Sequence, residues 1–375
     1  MIGRILVVAW KELLQLRRDR LTLAMIVALP ILQLLLFGYA IDTDVRHVPA
    51  VIYDQDQGPR SRDFVARLVA SGFYDVVGHV ESYDEIERAL RSGAARVAVI
   101  LPPRLGADTA RGKPAALQLI VDGSDPQTVS SALDTGVGVT RTLSQELALE
   151  QSARRGQRPT PAAISIEPII WYNQNLRTAV FIVPGLAGVI LTLTMIMFTS
   201  MAIARERERG TLEQLIVSPI RGAELIAGKI APYVAIGYLQ LALILLAGYW
   251  VFGVAVVGSL PLLFALSSLF IAANLALGLV FSTIARTQQQ AMQMSFFALL
   301  PNILLSGFMF PWQAMPVPVQ WLSQLLPLTH FLRIIRGIVL KGAVLQDTWS
   351  DIAWMCGAFL FFVLVATVRF RKKLG

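Results

Sequence analysis

The sequence predicts a polytopic α-helical membrane protein with six transmembrane helices and an α/β extracytoplasmic domain inserted between spans one and two. Hydrophobic residues make up 55% of the 375 residues and charged residues only 15%, with a mean hydropathy of +0.60. This is more apolar surface than a soluble protein of this length buries. The uncharged stretches are interrupted by residues 42–177, where short apolar runs alternate with amphipathic ones, as they do in α/β domains.

Residues 1–20 predict an amphipathic helix in the membrane interface, because apolar residues recur there at helical spacing among five basic ones. The uncharged run 21–41 follows and has the length of a first transmembrane helix, which needs roughly 20 apolar residues. A cleaved signal peptide is the alternative, since Gly38, Tyr39 and Ala40 resemble a cleavage site. The run is longer than the usual apolar region of a signal peptide, so a retained anchor is favoured.

The segment 42–177 predicts an independent domain outside the membrane. Its apolar runs indicate strands at residues 48–53, 73–77, 97–101, 117–121 and 164–170, and amphipathic stretches indicate helices at 60–70, 83–91 and 126–151. Asp125 is the expected N-cap of the third helix, with Pro126 at its first position. This pattern contains enough apolar residues for a core of its own.

Two Asp-x-Asp pairs in this segment, Asp42/Asp44 and Asp54/Asp56, leave open a metal-binding, catalytic outer domain. Two carboxylates without a third ligand nearby form a weaker site than a metal cage, and acidic loops are normally solvated. We therefore expect no metal site, no catalytic residue and no enzymatic activity in this chain.

Residues 178–375 predict five further spans. The uncharged runs 178–204, 292–310 and 352–368 each predict one span, and the uncharged run 230–285 is long enough for two, with a turn at residues 252–261. Residues 205–229 form an inner loop and residues 311–350 an outer segment. The turn between spans three and four contains no basic residue, which places it outside.

The distribution of charge sets the orientation. The net charge is +8, yet residues 42–177 hold 15 Lys/Arg against 17 Asp/Glu, so the positive excess lies in the membrane-associated parts. Because Lys and Arg near span ends are retained on the cytoplasmic side, the basic segments 1–20, 205–229 and 369–373 place both termini in the cytoplasm. This pattern argues against nucleic acid as a partner.

The charged inner segment is the clearest functional signal. It begins at Arg205 and predicts a short docking helix in which Thr211 is the cap, Gln214 completes a capping box and Pro219 ends the helix. Gly210 allows a bend before it. The alternative is a solvated connector, but topology requires only Lys and Arg and leaves the glutamates unexplained.

The residues from Glu206 to Leu215, followed by Ser218-Pro219, resemble the cytoplasmic loop of ABC-2-type exporter permeases, and the order of elements is similar over the whole chain. In that family the loop is a coupling helix that contacts an ABC ATPase subunit. The resemblance implies the following contact residues: Glu206, Arg207, Glu208, Gly210, Thr211, Glu213, Gln214, Leu215 and Pro219.

The resemblance further implies a multi-pass permease of the bacterial inner membrane that exports hydrophobic or amphipathic small molecules, such as drugs or lipids, from the cytoplasm or inner leaflet. Its partners would be the ATPase subunit, a second permease chain (identical or paralogous) and the lipid bilayer, and a periplasmic adaptor is a further candidate. No cofactor is expected in this chain. ATP and Mg²⁺ would be bound by the ATPase, because residues 222–229 deviate from a phosphate-binding loop.

Several apolar residues are candidates for the substrate path: Met195, Met292, Phe296 and Phe297. Flexible Met and aromatic side chains suit varied apolar cargo, although such residues also pack against neighbouring helices. Outside, Arg333 and Arg336 lie on a helix-like segment, 330–340, where they could meet lipid headgroups or an anionic part of a substrate.

Two other classes of protein remain as alternatives. A proton- or ion-coupled carrier needs ionisable residues within its spans, and the six predicted spans contain none. A sensor would combine an outer ligand domain with an inner output domain, yet only seven residues follow the sixth predicted span. Both observations favour the ATP-driven exporter.

Overall fold

The computed structural model describes residues 46–155, 164–208, 210 and 222–371. The predicted interfacial helix (1–20), the first span (21–41), the Asp42/Asp44 pair and the predicted docking helix (211–219) lie outside the described residues.

The α/β domain, which we call the outer domain after its predicted location, is built on a five-stranded mixed sheet. The strands are β1 (Val48–Asp54), β2 (Tyr74–His79), β3 (Val97–Leu101), β4 (Ala115–Asp122) and β5 (Ile164–Trp171). Their order is β2-β1-β3-β4-β5, with β4 antiparallel to β3 and every other neighbouring pair parallel. All five predicted strands are present, each within two residues of the predicted bounds.

Helices cover both faces of this sheet: α1 (Pro59–Ala70), α2 (Tyr83–Ser92), α3 (Leu105–Ala110) and α4 (Pro126–Arg155). Phe64 and Leu68 of α1 pack on one face, and Ile86 and Leu90 of α2 pack on the other. The predicted cap of α4 is confirmed, since Asp125 accepts hydrogen bonds from the Gln127 backbone N–H and the Thr128 hydroxyl. Helix α3 was not predicted, because six residues are too few to show a helical period.

Within the described residues, four helices are long and apolar enough to cross a membrane: Thr178–Glu208, Pro232–Phe252, Leu260–Ile284 and Leu345–Arg369. The first three belong to α5 (Thr178–Glu208), α6 (Gly222–Phe252) and α7 (Leu260–Ile284), and the fourth consists of a short 3₁₀ helix, Leu345–Thr348, and most of α11 (Trp349–Arg371). These helices correspond to predicted spans two, three, four and six. The predicted turn between spans three and four is confirmed, because α6 ends at Phe252 and Ser259 caps α7.

The fifth predicted span is a shorter helix, α8 (Gln288–Leu305), and is not among these four. The predicted end at residue 310 is wrong by five residues. Ser306 is the C-cap, and Gly307 follows with φ +82°, a left-handed conformation that ends a helix. Pro301, by contrast, is accommodated inside the helix.

Helices α5 and α7 form the centre of the membrane bundle, and α6 and α11 lie at its periphery. Gly278 permits the close approach of α7 to α5, because a Cβ there would lie 2.8 Å from the Ile196 carbonyl oxygen. Large apolar side chains point outward from α6 and α11: Leu239, Leu243, Leu246, Leu360, Phe361 and Leu364. Their spacing produces apolar stripes suited to lipid or to a second chain.

The predicted outer segment, residues 311–350, contains two α-helices, α9 (Val317–Gln324) and α10 (Pro327–Lys341), and two short 3₁₀ helices. Helix α10 confirms the predicted helix-like segment and is buried over most of its length. It packs against α5, α7 and α11 and also contacts α2 of the outer domain. Helix α10, together with the short turn Leu345–Thr348, connects the sheet domain to the membrane helices.

Candidate coupling site

The charged segment that begins at Arg205 is helical at its start. Arg205, Glu206, Arg207 and Glu208 form the last turn of α5, so the predicted loop 205–229 begins with four helical residues. At the other end of the loop, α6 begins at Gly222. Gly210 has φ +67° and donates its backbone N–H to the Arg207 carbonyl oxygen at 3.2 Å. The bend expected at Gly210 is thus present, and it follows directly on the transmembrane helix.

Glu208 fastens the end of α5 to the start of α8. One carboxylate oxygen accepts the Gln288 backbone N–H at 2.9 Å, and the other accepts the Gln288 side-chain amide at 2.6 Å. The first N–H groups of a helix have no partner inside it, and a negative charge at this end is favoured by the helix dipole. Glu208 therefore caps α8 from a different helix.

Two arginines extend this contact. Arg205 Nε donates to Gln288 Oε1 at 3.1 Å, and Arg207 Nη1 donates to the Ala285 carbonyl oxygen at 2.5 Å. The side chains of Ala204, Ala285 and Ala291 pack together above these bonds, and their small size lets the helix ends approach closely. We call the contacts of Arg205, Arg207 and Glu208 with Ala285 and Gln288 the inner clamp, after the side of the membrane predicted for them.

The structure describes four of the predicted ATPase-contacting residues: Glu206, Arg207, Glu208 and Gly210. The remaining five lie outside the described residues: Thr211, Glu213, Gln214, Leu215 and Pro219. The sequence analysis missed Gln288 and Ala285. Only the amide run Gln288-Gln289-Gln290, unusual at the entrance to an apolar helix, could have signalled them.

The predicted path residues fall in two places. Met292 and Phe296 lie one turn apart on α8 and are 38% and 51% exposed, and Phe297 beside them is partly buried. Met195 is fully buried and packs against Ile271 and Leu275. The exposed face of α8 begins one turn from the inner clamp, whereas Met195 belongs to the packed interior of the bundle.

A buried ion-pair cluster joins the outer domain to α10. Asp122, at the end of β4, accepts hydrogen bonds from Lys341 Nζ and from Arg96 Nη1, the latter at 2.7 Å. Lys341 Nζ also donates to the Leu90 carbonyl oxygen at 3.0 Å. The Asp122 side chain is 0% exposed and that of Lys341 4%. A charge pair this deeply buried stabilises the fold only while both partners are present, because removing one partner leaves the other charge buried and uncompensated.

Acidification should weaken this cluster. Burial alone would raise the pKa of Asp122, but the positive charges of Lys341 and Arg96 outweigh burial and hold it below its ordinary value of 3.8. A carboxyl group with a lowered pKa stabilises the folded state above its unfolded pKa, and this contribution is lost as the pH falls. We expect the melting temperature of the purified protein to fall below about pH 4, and less steeply in Asp122→Asn. Equal slopes in both proteins would contradict this.

Comparisons with known proteins agree with this architecture. The model of a family described as "ABC-2 family transporter protein" matches residues 20–368. "Probable multidrug ABC transporter permease YbhR" of Escherichia coli (strain K12) is 32% identical over 352 residues, 94% of this chain and 94% of the relative. "Probable multidrug ABC transporter permease YbhS" is 29% identical over 366 residues, 97% and 96% of the two chains. "Inner membrane transport permease YhhJ" is 30% identical over 331 residues, 87% and 86%.

The family match and these relatives extend over nearly the whole chain, including the outer domain and the membrane helices. Permeases of this family are transmembrane subunits, and the ATPase activity of the transporter resides in separate subunits. The chain described here therefore belongs to the ABC-2 transporter family, as a multi-pass membrane permease.

Proposed function

We propose that this chain is the permease subunit of an ATP-driven exporter that moves hydrophobic or amphipathic small molecules, drugs or lipids, out of the cytoplasm or the inner leaflet. Two of the relatives are named as probable multidrug permeases, which supports this cargo class. In the proposed arrangement the chain lies in a bacterial inner membrane with six spans, both termini in the cytoplasm and the sheet domain outside.

The observation that carries the proposal is the inner clamp. In our proposal, an ATPase subunit grips the loop 205–229, and its closure on ATP moves the loop as a rigid body. Through Glu208 and Gln288, that movement reaches α5 and α8 together instead of being absorbed by a loose connector. A solvated connector would have no need of a carboxylate that caps a second helix.

The cargo path in this proposal runs along the exposed face of α8, which carries Met292 and Phe296. A second permease chain would face it, so that two chains enclose the route. Because α8 is held by the inner clamp, a displaced loop would shift this face directly. Met195 is buried against α7, and its part in the path stays a prediction.

Affinity purification of the full chain in mild detergent tests the proposal. We expect an ATPase chain with a glycine-rich phosphate-binding loop to copurify. We also expect its recovery to fall at least about tenfold when Glu208, Thr211 and Glu213 are all replaced by alanine, because an interface depends on a few central contacts. Alanine at Glu81 and Asp84, two exposed residues of the outer domain, removes the same number of negative charges and should leave recovery unchanged. ATP hydrolysis by the permease chain alone would contradict the proposed division of roles.

A further inference from the structure

A cavity of about 630 Å³ lies between the outer domain and the membrane helices, within the range of ligand-binding sites. Its walls include residues 306–313 after α8, the polar side of α10 and residues of the outer domain. The proposed coupling mechanism does not use it.

Three side chains bring unused hydrogen-bond donors to this cavity. Within the described part of the chain, no partner is present for Ser306 Oγ, Trp312 Nε1, or Arg336 Nε and Nη2, and all four atoms are shielded from solvent. The indole and guanidinium nitrogens can only donate. A buried polar group without a partner costs about 1–3 kcal/mol, so four in one place indicate a ligand that accepts hydrogen bonds.

The guanidinium of Arg336 is held in a fixed orientation. Its Nη1 donates to the Gly307 carbonyl oxygen at 2.9 Å, and its Cζ lies 3.8 Å from the ring centroid of Phe181. Gly185 leaves room for it, because a Cβ there would lie 3.2 Å from Nη2. The remaining edge, Nε and Nη2, is the pair of parallel donors with which arginine binds carboxylate and phosphate.

The electrostatics of the cavity favour an anion. Among the described residues, four carboxylates line the cavity and all are already engaged: Asp75 with His47, Asp347 with Arg91, Asp351 with His330, and Asp125 as the cap of α4. Within the described residues, Arg336 forms no ion pair. Arg333, whose Nη1 lies 3.5 Å from Asp351 Oδ1, brings a second guanidinium, with its Cζ 5.2 Å from the centroid of the Trp312 ring. Burial lowers the pKa of Arg336 to about 10, so the side chain stays positively charged at neutral pH.

We propose that this cavity binds a phosphate oxyanion, which Arg336 holds through Nε and Nη2 with Trp312 and Ser306 as further donors. The phosphate could belong to the headgroup of an anionic phospholipid or to a water-soluble ion. A lipid source suits the position, because the exposed Trp321, Trp349 and Trp354 surround this end of the bundle, and exposed tryptophans mark the headgroup region. The inference does not depend on which cargo the protein exports.

Direct binding to the full-length purified protein tests the proposal. Native mass spectrometry would compare the number of phosphatidylglycerol molecules that the protein retains with the number of phosphatidylcholine molecules. Phosphatidylcholine is the control, because Arg333 and Arg336 repel its choline cation. Titration with inorganic phosphate, followed by the melting temperature, forms the second arm. We expect Arg336→Gln to weaken the binding seen in wild type at least about tenfold, since a charge-assisted hydrogen bond is worth more than a neutral one. Arg88→Gln, at an arginine whose side chain is 65% exposed, should leave it unchanged.

The outcomes separate the two sources. Preferential retention of phosphatidylglycerol, lost in Arg336→Gln, identifies a lipid site, and stabilisation by inorganic phosphate that is lost in the same variant identifies a site for a soluble ion. If Arg336→Gln does not fold, the milder pair Trp312→Phe and Ser306→Ala, which removes two donors and no charge, should still weaken binding several-fold. Wild-type protein that neither prefers phosphatidylglycerol nor responds to phosphate would overturn the proposal, as would binding that all these variants retain.

Discussion

Export by the reconstituted transporter should fall about tenfold or more when Glu208 is replaced by alanine, while its ATPase subunit continues to hydrolyse ATP. The substitution removes both hydrogen bonds to Gln288, and a hydrogen bond to a charged group contributes about 1.5–3 kcal/mol. Each 1.4 kcal/mol corresponds to about a factor of ten. Dye efflux from proteoliposomes, measured together with phosphate release, separates transport from hydrolysis.

Two further variants sharpen this test. The side chain of Gln289, next to Gln288, is exposed and makes no hydrogen bond within the described residues. The Gln289→Ala transporter should therefore export as the wild type does. The exchange Glu208→Gln with Gln288→Glu keeps one acid and one amide across the contact and should recover part of the export. A Glu208→Ala transporter with normal export would show that the inner clamp does not transmit the motion.

Replacing Lys341 with methionine should destabilise the protein by about 3–5 kcal/mol, because Asp122 would keep its buried charge without its closest partner. The methionine fills a similar volume, so the loss would reflect charge and not packing. Thermal unfolding in detergent, followed by tryptophan fluorescence, measures the effect. Lys113→Met removes an exposed lysine of the outer domain and should change the stability by less than about 0.5 kcal/mol.

The pair itself can be isolated with a double variant. Lys341→Met combined with Asp122→Asn should cost less than the sum of the two single changes, because the neutral amide no longer leaves a buried charge unpaired. Additive losses would show that the two side chains contribute independently. An unchanged melting temperature for Lys341→Met would contradict a buried ion pair between α10 and the outer domain.

The sheet domain could be predicted closely because its sequence pattern follows from burial. Strand β3 is buried at all five positions and appears as an uninterrupted apolar run at residues 97–101. The start of helix α4 is indicated by Asp125 as its cap and Pro126 at its first position. Hydropathy likewise identified the four apolar helices, since each presents more than 18 residues with few charges. These are local signals, and a single sequence contains them in full.

Contacts between distant segments could not be predicted in this way. The pairing of Asp122 with Lys341 spans 219 positions, and neither residue stands out from its neighbours in the sequence. The predicted bounds of α8 lie four to five residues too far along the chain. They rested on an apolar, uncharged run, which indicates neither the polar start of the helix at Gln288 nor its end before Gly307. Glu208 was recognised as a charged residue of the inner segment, but its role as a cap for α8 depends on how two helices meet.

The central claim, that a cytosolic ATPase drives this permease through the loop 205–229, is tested most directly by the side of the membrane on which the loop lies. In a Cys356→Ser background, which removes the single native cysteine, Glu213→Cys and Arg88→Cys each provide one site for a membrane-impermeant maleimide. We predict that the Glu213→Cys protein is labelled only in inside-out vesicles and the Arg88→Cys protein only in right-side-out ones. Labelling of the Glu213→Cys protein from the outside would contradict the account.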